Sequence, residues 1–310
     1  MRPVSVLLAL LLVSSLIAQA AEPQRAPQCG DELNNPELTI SVCTRLIEFG
    51  GLDRANLAKA YFTRGTEWAG QGQHQRAIAD FSVAIELDPK LAGVHMNRAL
   101  SYSERGEHDL AIEDYTAAIA LAPKDAAAYQ GRAVEWTVKG DYARALADYE
   151  ALLGLEPQSL AGQFGRGRVR FYNGDFAGAV SDLQRALAMQ RSTYTALWLY
   201  LARKRANQPA EKMLAQEAGV PNDDEWPGPI VLLYLGRTRP EDVEAAAAQS
   251  NLVRRRERRC EAGFYVAHWH LLRNNSAAAL ERLRGAEQLC PSTFVEHEGA
   301  VAELRRLQTR

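Results

Sequence analysis

The sequence has little of what catalytic and metal-dependent proteins display. Four cysteines in 310 residues are too few for a disulfide-dense miniprotein, and none has the C-x-x-C spacing that holds zinc or runs thiol chemistry. Net charge is small as well. Lys and Arg number 36 against 38 Asp and Glu, a balance of -2, which excludes a protein steered as a whole toward nucleic acid or an anionic membrane. No G-x-S-x-G, H-E-x-x-H, Walker loop or dinucleotide fingerprint occurs, so no catalytic residue, cofactor or metal site follows from motifs. Among the histidines only His268-Trp269-His270 and Glu296-His297-Glu298 cluster. Residues two apart on a helix diverge by about 200°, so neither triplet offers a ligand pair on one face. The chain reads as non-enzymatic. What it does have is 47% hydrophobic residues, enough for a sizeable core.

The first segment reads as an address. After Met1-Arg2-Pro3 comes an apolar run over 4–18, broken only by Ser5, Ser14 and Ser15, and then the small-x-small pattern Ala18-Gln19-Ala20. The run is short for a membrane span of ~20 residues, so residues 1–20 are expected to be a cleaved secretory signal and the mature chain a soluble periplasmic protein without a stable membrane anchor. An uncleaved anchor is the alternative. Ala26-Pro27-Gln28 before Cys29 lacks the Leu and small residues of a lipoprotein cleavage site, and lipid anchoring is not expected.

Residues 58–191 align with themselves at a shift of 34. Pro89, Pro123 and Pro157 repeat at that spacing, as do Gly65, Ala99, Ala133 and Gly167; Gly72, Gly106, Gly140 and Gly174; and Ala77, Ala111, Ala145 and Ala179. Phe81, Tyr115, Tyr149 and Leu183 follow four residues after each of those alanines. Small residues facing each other let two helices approach, the aromatics fill the space between them, and the mid-repeat glycine closes the first helix. One such unit cannot bury its apolar face alone, so neighbours must stack.

Tyr61, Gly65, Trp68, Ala77, Phe81 and Pro89 carry this pattern in the first unit, which resembles the tetratricopeptide repeat (TPR). The resemblance implies an all-α protein, a right-handed α-α superhelix (TPR solenoid) with a C-terminal helical extension. Four repeats fill 58–191, after an N-terminal segment, 21–57, that contains a helix over 37–49. Beyond 191 the period fades, yet helical patterns continue over 194–206, 209–218, 229–235, 240–250, 260–273, 277–289 and 293–308. The connection 220–229, rich in Pro, Asp and Gly, is the candidate for an irregular junction or lid.

Cys260 and Cys290 lie equally far from Asn275, the centre of a turn between two antiparallel helices, so folding that hairpin brings them together. Cys29 and Cys43 would staple the N-terminal helix. Two local pairs fit an oxidising compartment; four buried free thiols are the alternative. Arg64, Arg98, Arg132 and Arg166 recur at one repeat position and Asp80, Asp114, Asp148 and Asp182 at another, which predicts a ladder of ion pairs within or between repeats. Arg254, Arg255, Arg256, Arg258 and Arg259 form a basic run around Glu257. It reads either as a patch for polyanions or an acidic partner, or as a solvated loop before a helix.

In TPR folds the inner face of the first helix of each repeat receives the guest. Carried onto this sequence, those positions include Phe62, Met96, Leu100, Val134, Val138, Phe164, Arg168 and Phe171, an apolar stripe suited to an extended segment or an amphipathic helix. The chain's own N-terminal helix or a second copy could equally cover it. The segment from Cys29 to Gly50, with Cys43-Thr44-Arg45-Leu46-Ile47, resembles the leader of exported TPR proteins. Leu197-Trp198-Leu199-Tyr200-Leu201-Ala202, Glu225-Trp226, Tyr234-Leu235-Gly236, Phe264-Tyr265 and Phe294-Val295-Glu296-His297 are similar to the new lipoprotein I (NlpI) family of envelope TPR proteins. That likeness implies a scaffold, dimeric in the family, that links a C-terminal processing protease in the periplasm to peptidoglycan hydrolases, with protein rather than nucleic-acid partners. A direct binder of peptidoglycan or envelope polyanions is the second expectation.

Overall fold

The computed structural model describes Cys29 and residues 35–219, 225–249, 251–291 and 294–308. The signal expectation over 1–20 and the start of the 220–229 connection lie outside them. The described residues form sixteen helices and no strand, and they divide into two compact units, one ending at Asp88 and the other beginning at Pro89. The division falls inside the block of repeats read from the sequence.

The first unit contains α1 (Pro36–Phe49), α2 (Arg54–Gly70) and α3 (His74–Leu87). Asn35 and Asp53 start α1 and α2 by accepting hydrogen bonds from the Leu38 and Asn56 amides, satisfying donors that a helix leaves unpaired. Cys29 is bonded to Cys43 on α1, with Cα atoms 4.8 Å apart. A Cβ at Gly65 would run into the Phe81 ring, so glycine sets the close approach of α2 and α3.

The second unit contains α4 (Ala92–Glu104), α5 (His108–Leu121), α6 (Ala126–Lys139), α7 (Tyr142–Leu155), α8 (Leu160–Asn173) and α9 (Phe176–Met189), the remaining sequence repeats. It continues through α10 (Thr193–Arg205), α11 (Glu211–Glu217), α12 (Gly228–Tyr234), α13 (Pro240–Ala248), α14 (Leu252–Leu271), α15 (Ser276–Leu289) and α16 (Val295–Gln308). Helices α4, α6, α8 and α10 touch in succession, and each of α5, α7 and α9 packs between its own partner and the next of that layer. This is the α-α solenoid arrangement expected of stacked hairpins.

Seven hairpins close on the same device. A left-handed residue donates its amide three residues back, and the next residue donates four residues before its own predecessor: Gly106 to Ser103 and Glu107 to Tyr102, at 2.8 and 2.9 Å, begin the series. Gly72, Gly140 and Gly174 repeat it, and Asn207, Gly236 and Asn274 continue it through α10–α11, α12–α13 and α14–α15, all at positive φ. The bonds satisfy carbonyls that the first helix leaves open. Asn207 follows Gly174 by 33 residues, Gly236 follows by 29 and Asn274 by 38, so the helical pairs persist where the fixed period does not. Cys260 on α14 and Cys290 after α15 are bonded, with Cα atoms 4.9 Å apart.

The predicted ladder is present and lies within repeats. Each arginine meets the aspartate sixteen residues on through two parallel hydrogen bonds: Arg64 to Asp80, Arg98 to Asp114, Arg132 to Asp148 and Arg166 to Asp182, all between 2.7 and 2.9 Å. The aspartates are buried, and the two-bond fork is the geometry that stabilises a carboxylate away from water.

Candidate protein-binding face

In the second unit the layer of α4, α6 and α8 carries the stripe expected to receive a guest. Leu100 on α4 is 48% exposed. Met96 beside it is half-buried against Ala99, Ala111 and Tyr115, and Val134 and Val138 on α6 are likewise half-buried. The hairpin interiors beneath them hold Ala99, Ala111 and Tyr115 in α4–α5, and Ala133, Ala145, Tyr149 and Leu152 in α6–α7. Phe164 on α8 is half-buried under the Arg168 guanidinium, 5.3 Å from its ring centre. Phe62 belongs to the first unit, half-buried with its ring 6.0 Å from that of Phe81.

Two of the expected positions are closed, a correction to the sequence reading. Arg168 is 6% exposed and Phe171 is 0% exposed, because α16 lies against α8. Arg168 donates to Glu298 at 2.7 Å, the Tyr172 hydroxyl donates to the Val295 carbonyl at 3.2 Å, and Arg306 donates to the Phe171 and Tyr172 carbonyls at 2.9 and 2.7 Å. Burial alone would lower the Arg168 pKa, yet the Glu298 carboxylate holds it raised. Phe171 also packs edge-on against Trp198, 5.6 Å between ring centres. The apolar face therefore ends at α16, with the C-terminal helix and not the N-terminal one as its cover there. Sequence reasoning missed Glu298, Arg305 and Arg306. The signal was Arg168 itself, a charge in an otherwise apolar row that calls for a carboxylate from another element.

The basic run is placed differently too. Arg254 through Arg259 lie inside α14, not in a loop before it, since Asn251 caps the helix by accepting from the Arg254 amide at 3.0 Å. Helical spacing keeps Arg254, Arg255, Arg258 and Arg259 within about 140° of one another and sends Arg256 beyond that arc. Arg254, Arg255 and Arg259 are exposed, Arg256 donates to the Leu289 carbonyl at 2.8 Å, and Arg258 stacks 5.7 Å from the centre of the Trp226 ring.

Beneath α16 lies a group of buried acids. Glu261 accepts from the Tyr194 hydroxyl at 2.7 Å and from the Trp226 indole at 2.6 Å, and burial raises its pKa. Among the described residues Glu296 has only the Tyr265 hydroxyl, at 3.3 Å, as side-chain partner. Burial, reinforced by the charge of Glu261, pushes its pKa up to about 7. His268, between Phe171 and Phe264, has no hydrogen-bond partner on either ring nitrogen among the described residues, and burial lowers its pKa to about 4. Among the described residues no three potential ligands gather as a metal site.

Comparison with known proteins agrees with this architecture. Tetratricopeptide repeat signatures match residues 92–125 and, overlapping, 138–189 and 164–203. The lipoprotein NlpI homolog of Haemophilus influenzae is 32% identical over 126 residues, 39% of this chain and 40% of that protein; the matched stretch is thus less than half of either. Among solved structures, a tetratricopeptide repeat protein from Parabacteroides merdae superposes with a TM-score of 0.55 at 16% identity, over 86% of this chain and 91% of that one. The C-terminal part of a TPR repeat-containing protein from Cytophaga hutchinsonii gives 0.52 at 16% identity, over 86% and 95%. At that identity they speak to the fold alone. The chain carries tetratricopeptide repeats over the residues those signatures match and resembles NlpI over the stretch the homolog matches.

Proposed function

We propose that this chain is a periplasmic scaffold that binds another protein on the open faces of α4 and α6, and that its task is to bring a C-terminal processing protease to peptidoglycan hydrolases. The observation that carries the binding role is the apolar row of the exposed Leu100 and the half-buried Met96, Val134 and Val138 on α4 and α6. An apolar row on a rigid stack of hairpins offers a guest helix a preformed surface, which lowers the ordering cost of association. TPR folds generally serve as non-catalytic scaffolds. The protease and hydrolase partners rest on the resemblance to NlpI.

The test is reconstitution with a C-terminal processing protease and a peptidoglycan endopeptidase from the same organism. The expected result is faster cleavage of the endopeptidase when the protein is present, lost in Leu100→Glu and Val134→Glu. No acceleration, or full activity in both variants, rejects the reading. A second reading, binding of peptidoglycan or envelope polyanions, is favoured by the exposed arginines of α14. Cosedimentation with purified peptidoglycan that weakens steeply with salt and disappears in Arg254→Glu/Arg259→Glu would select it.

A further inference from the structure

Resting on that binding face, we infer that its guest is an acidic amphipathic helix of the partner protein, and that Arg305 receives one of the guest's carboxylates. A helix is favoured over an extended strand because the protein already seats one on the corresponding positions. Arg168, Phe171 and Tyr172 of α8 stand 34 residues after Val134, Thr137 and Val138 of α6, and they hold α16 through the bonds from Arg168 to Glu298 and from Tyr172 to Val295. The same turn of the repeat on α6 offers a helix the same shape. Its chemistry differs: valines stand where α8 has Arg168 and Tyr172, so the guest meets α6 and α4 with an apolar ridge spaced three and four residues apart.

The acid follows from where charge is left unmatched. The Arg305 guanidinium lies over Gly140, two residues beyond Val138, in the place that a Cβ at Gly140 would fill. Gly140 has φ of 80°, so both its backbone and its lack of a side chain suit that seat. The other cations at this end are engaged: Lys139 with Asp109, Arg168 with Glu298 and Arg306 with Glu303. Arg305 is exposed, hydrogen-bonds to Tyr142 and has no carboxylate within ion-pair distance among the described residues. An apolar row that ends in an uncompensated guanidinium is complementary to an apolar ridge that ends in Glu or Asp.

The test uses the full chain and two acetylated, amidated helical peptides of about 18 residues, which carry no terminal charge. Both have leucines at positions i, i+3 and i+7; one has glutamates and the other lysines flanking that ridge. Anisotropy titration should show the glutamate peptide binding roughly fivefold tighter than the lysine peptide, with the order inverted in Arg305→Glu and the difference erased in Arg305→Ala. Val134→Glu should abolish both. A glutamate peptide that binds Arg305→Glu as well as it binds the parent overturns the role of Arg305 and leaves the face intact. Unchanged binding of both peptides to Val134→Glu overturns the face itself. Equal binding of a scrambled peptide, or no binding of either probe, overturns the inference. Arg305 is on the surface, and thermal melts of its variants within a degree or two of the parent establish that they fold.

Discussion

In α4–α7 each hairpin interior sets an alanine pair against one large ring, in small clusters: Ala99 and Ala111 meet Tyr115, and Ala133 and Ala145 meet Tyr149 beside Leu152 and Leu153. In α10–α16 the interior is a single mass of large side chains in which Trp198 packs against Phe171, Tyr172 and Phe264 at ring-centre distances of 5.6, 5.8 and 5.2 Å. The polar links differ in the same sense. Each repeat ties its own two helices through one Arg–Asp fork, whereas α16 is tied to α8 and α10 by Arg168–Glu298, Arg306 and Arg205–Glu303. The first arrangement localises stability to a hairpin and its neighbours; the second makes distant segments melt together. A uniform face for a guest needs the former, and an end that must not fray needs the latter.

The contrast is broken most severely at Trp198. Trp198→Ala removes a fully buried indole and should cost about 3–5 kcal/mol, with α8–α16 losing protection together in hydrogen exchange. A loss confined to α10 would show that the C-terminal mass is modular after all.

Acid titration sharpens it next. The folded-state pKa of Glu296, about 7, lies above the ordinary 4.5, so the native state holds a proton that the unfolded chain releases. This stability is fully present below about pH 4.5, declines as pH rises to about 7, and is gone above that; 1.36 kcal/mol per unit sets an upper bound of about 3 kcal/mol. Glu296→Gln keeps the neutral form at all pH values and should raise the melting temperature at pH 8 while changing little at pH 4.5. An identical gain at both pH values would assign the effect to packing. His268, depressed to about 4, runs the other way: its contribution is present above pH 6.5 and lost as pH falls toward 4.

Within the repeats, Asp148→Asn leaves Arg132 facing a neutral amide in a mostly buried site. The expected cost is about 1–2 kcal/mol, with faster exchange in α6 and α7 and little change beyond α10. Exchange that spreads to α14 would erase the distinction between the regions.

The repeats were legible because their signals are local and recur at a fixed interval: a glycine that closes helix one, an alanine pair and an arginine sixteen residues before an aspartate. The C-terminal hairpins keep the same physical design with unequal spacing and with asparagine in place of glycine at two turns, so a search at constant shift passes over them. The position of α16 depends on contacts more than a hundred residues apart, such as Tyr172 with Val295, which no local pattern encodes. For the same reason Arg168 and Phe171 read as open and are in fact covered. The disulfide pairing of Cys260 with Cys290 was accessible because a hairpin brings its two ends together whatever else the chain does.

The smallest effect concerns the turns, the one feature both regions share. Gly106 and Asn274 occupy the same left-handed position, at φ of 74° and 59°, and each donates to the carbonyl three residues back. Alanine pays for that conformation in steric strain of about 1 kcal/mol, glycine does not, and asparagine is intermediate because its short amide tolerates the region. Gly106→Ala and Asn274→Ala should each lose stability, the first by about 1 kcal/mol and the second by roughly half of that. Asn274→Gly should fall within about 0.5 kcal/mol of the parent in urea melts. If Asn274→Ala is neutral while Gly106→Ala is costly, the α14–α15 turn is held by the surrounding aromatic mass and by the Cys260–Cys290 bond, and the local rule governs only the repeats. If both lose in the predicted ratio, one turn serves the whole unit, and the two regions differ in what fills them and not in how their helices are joined.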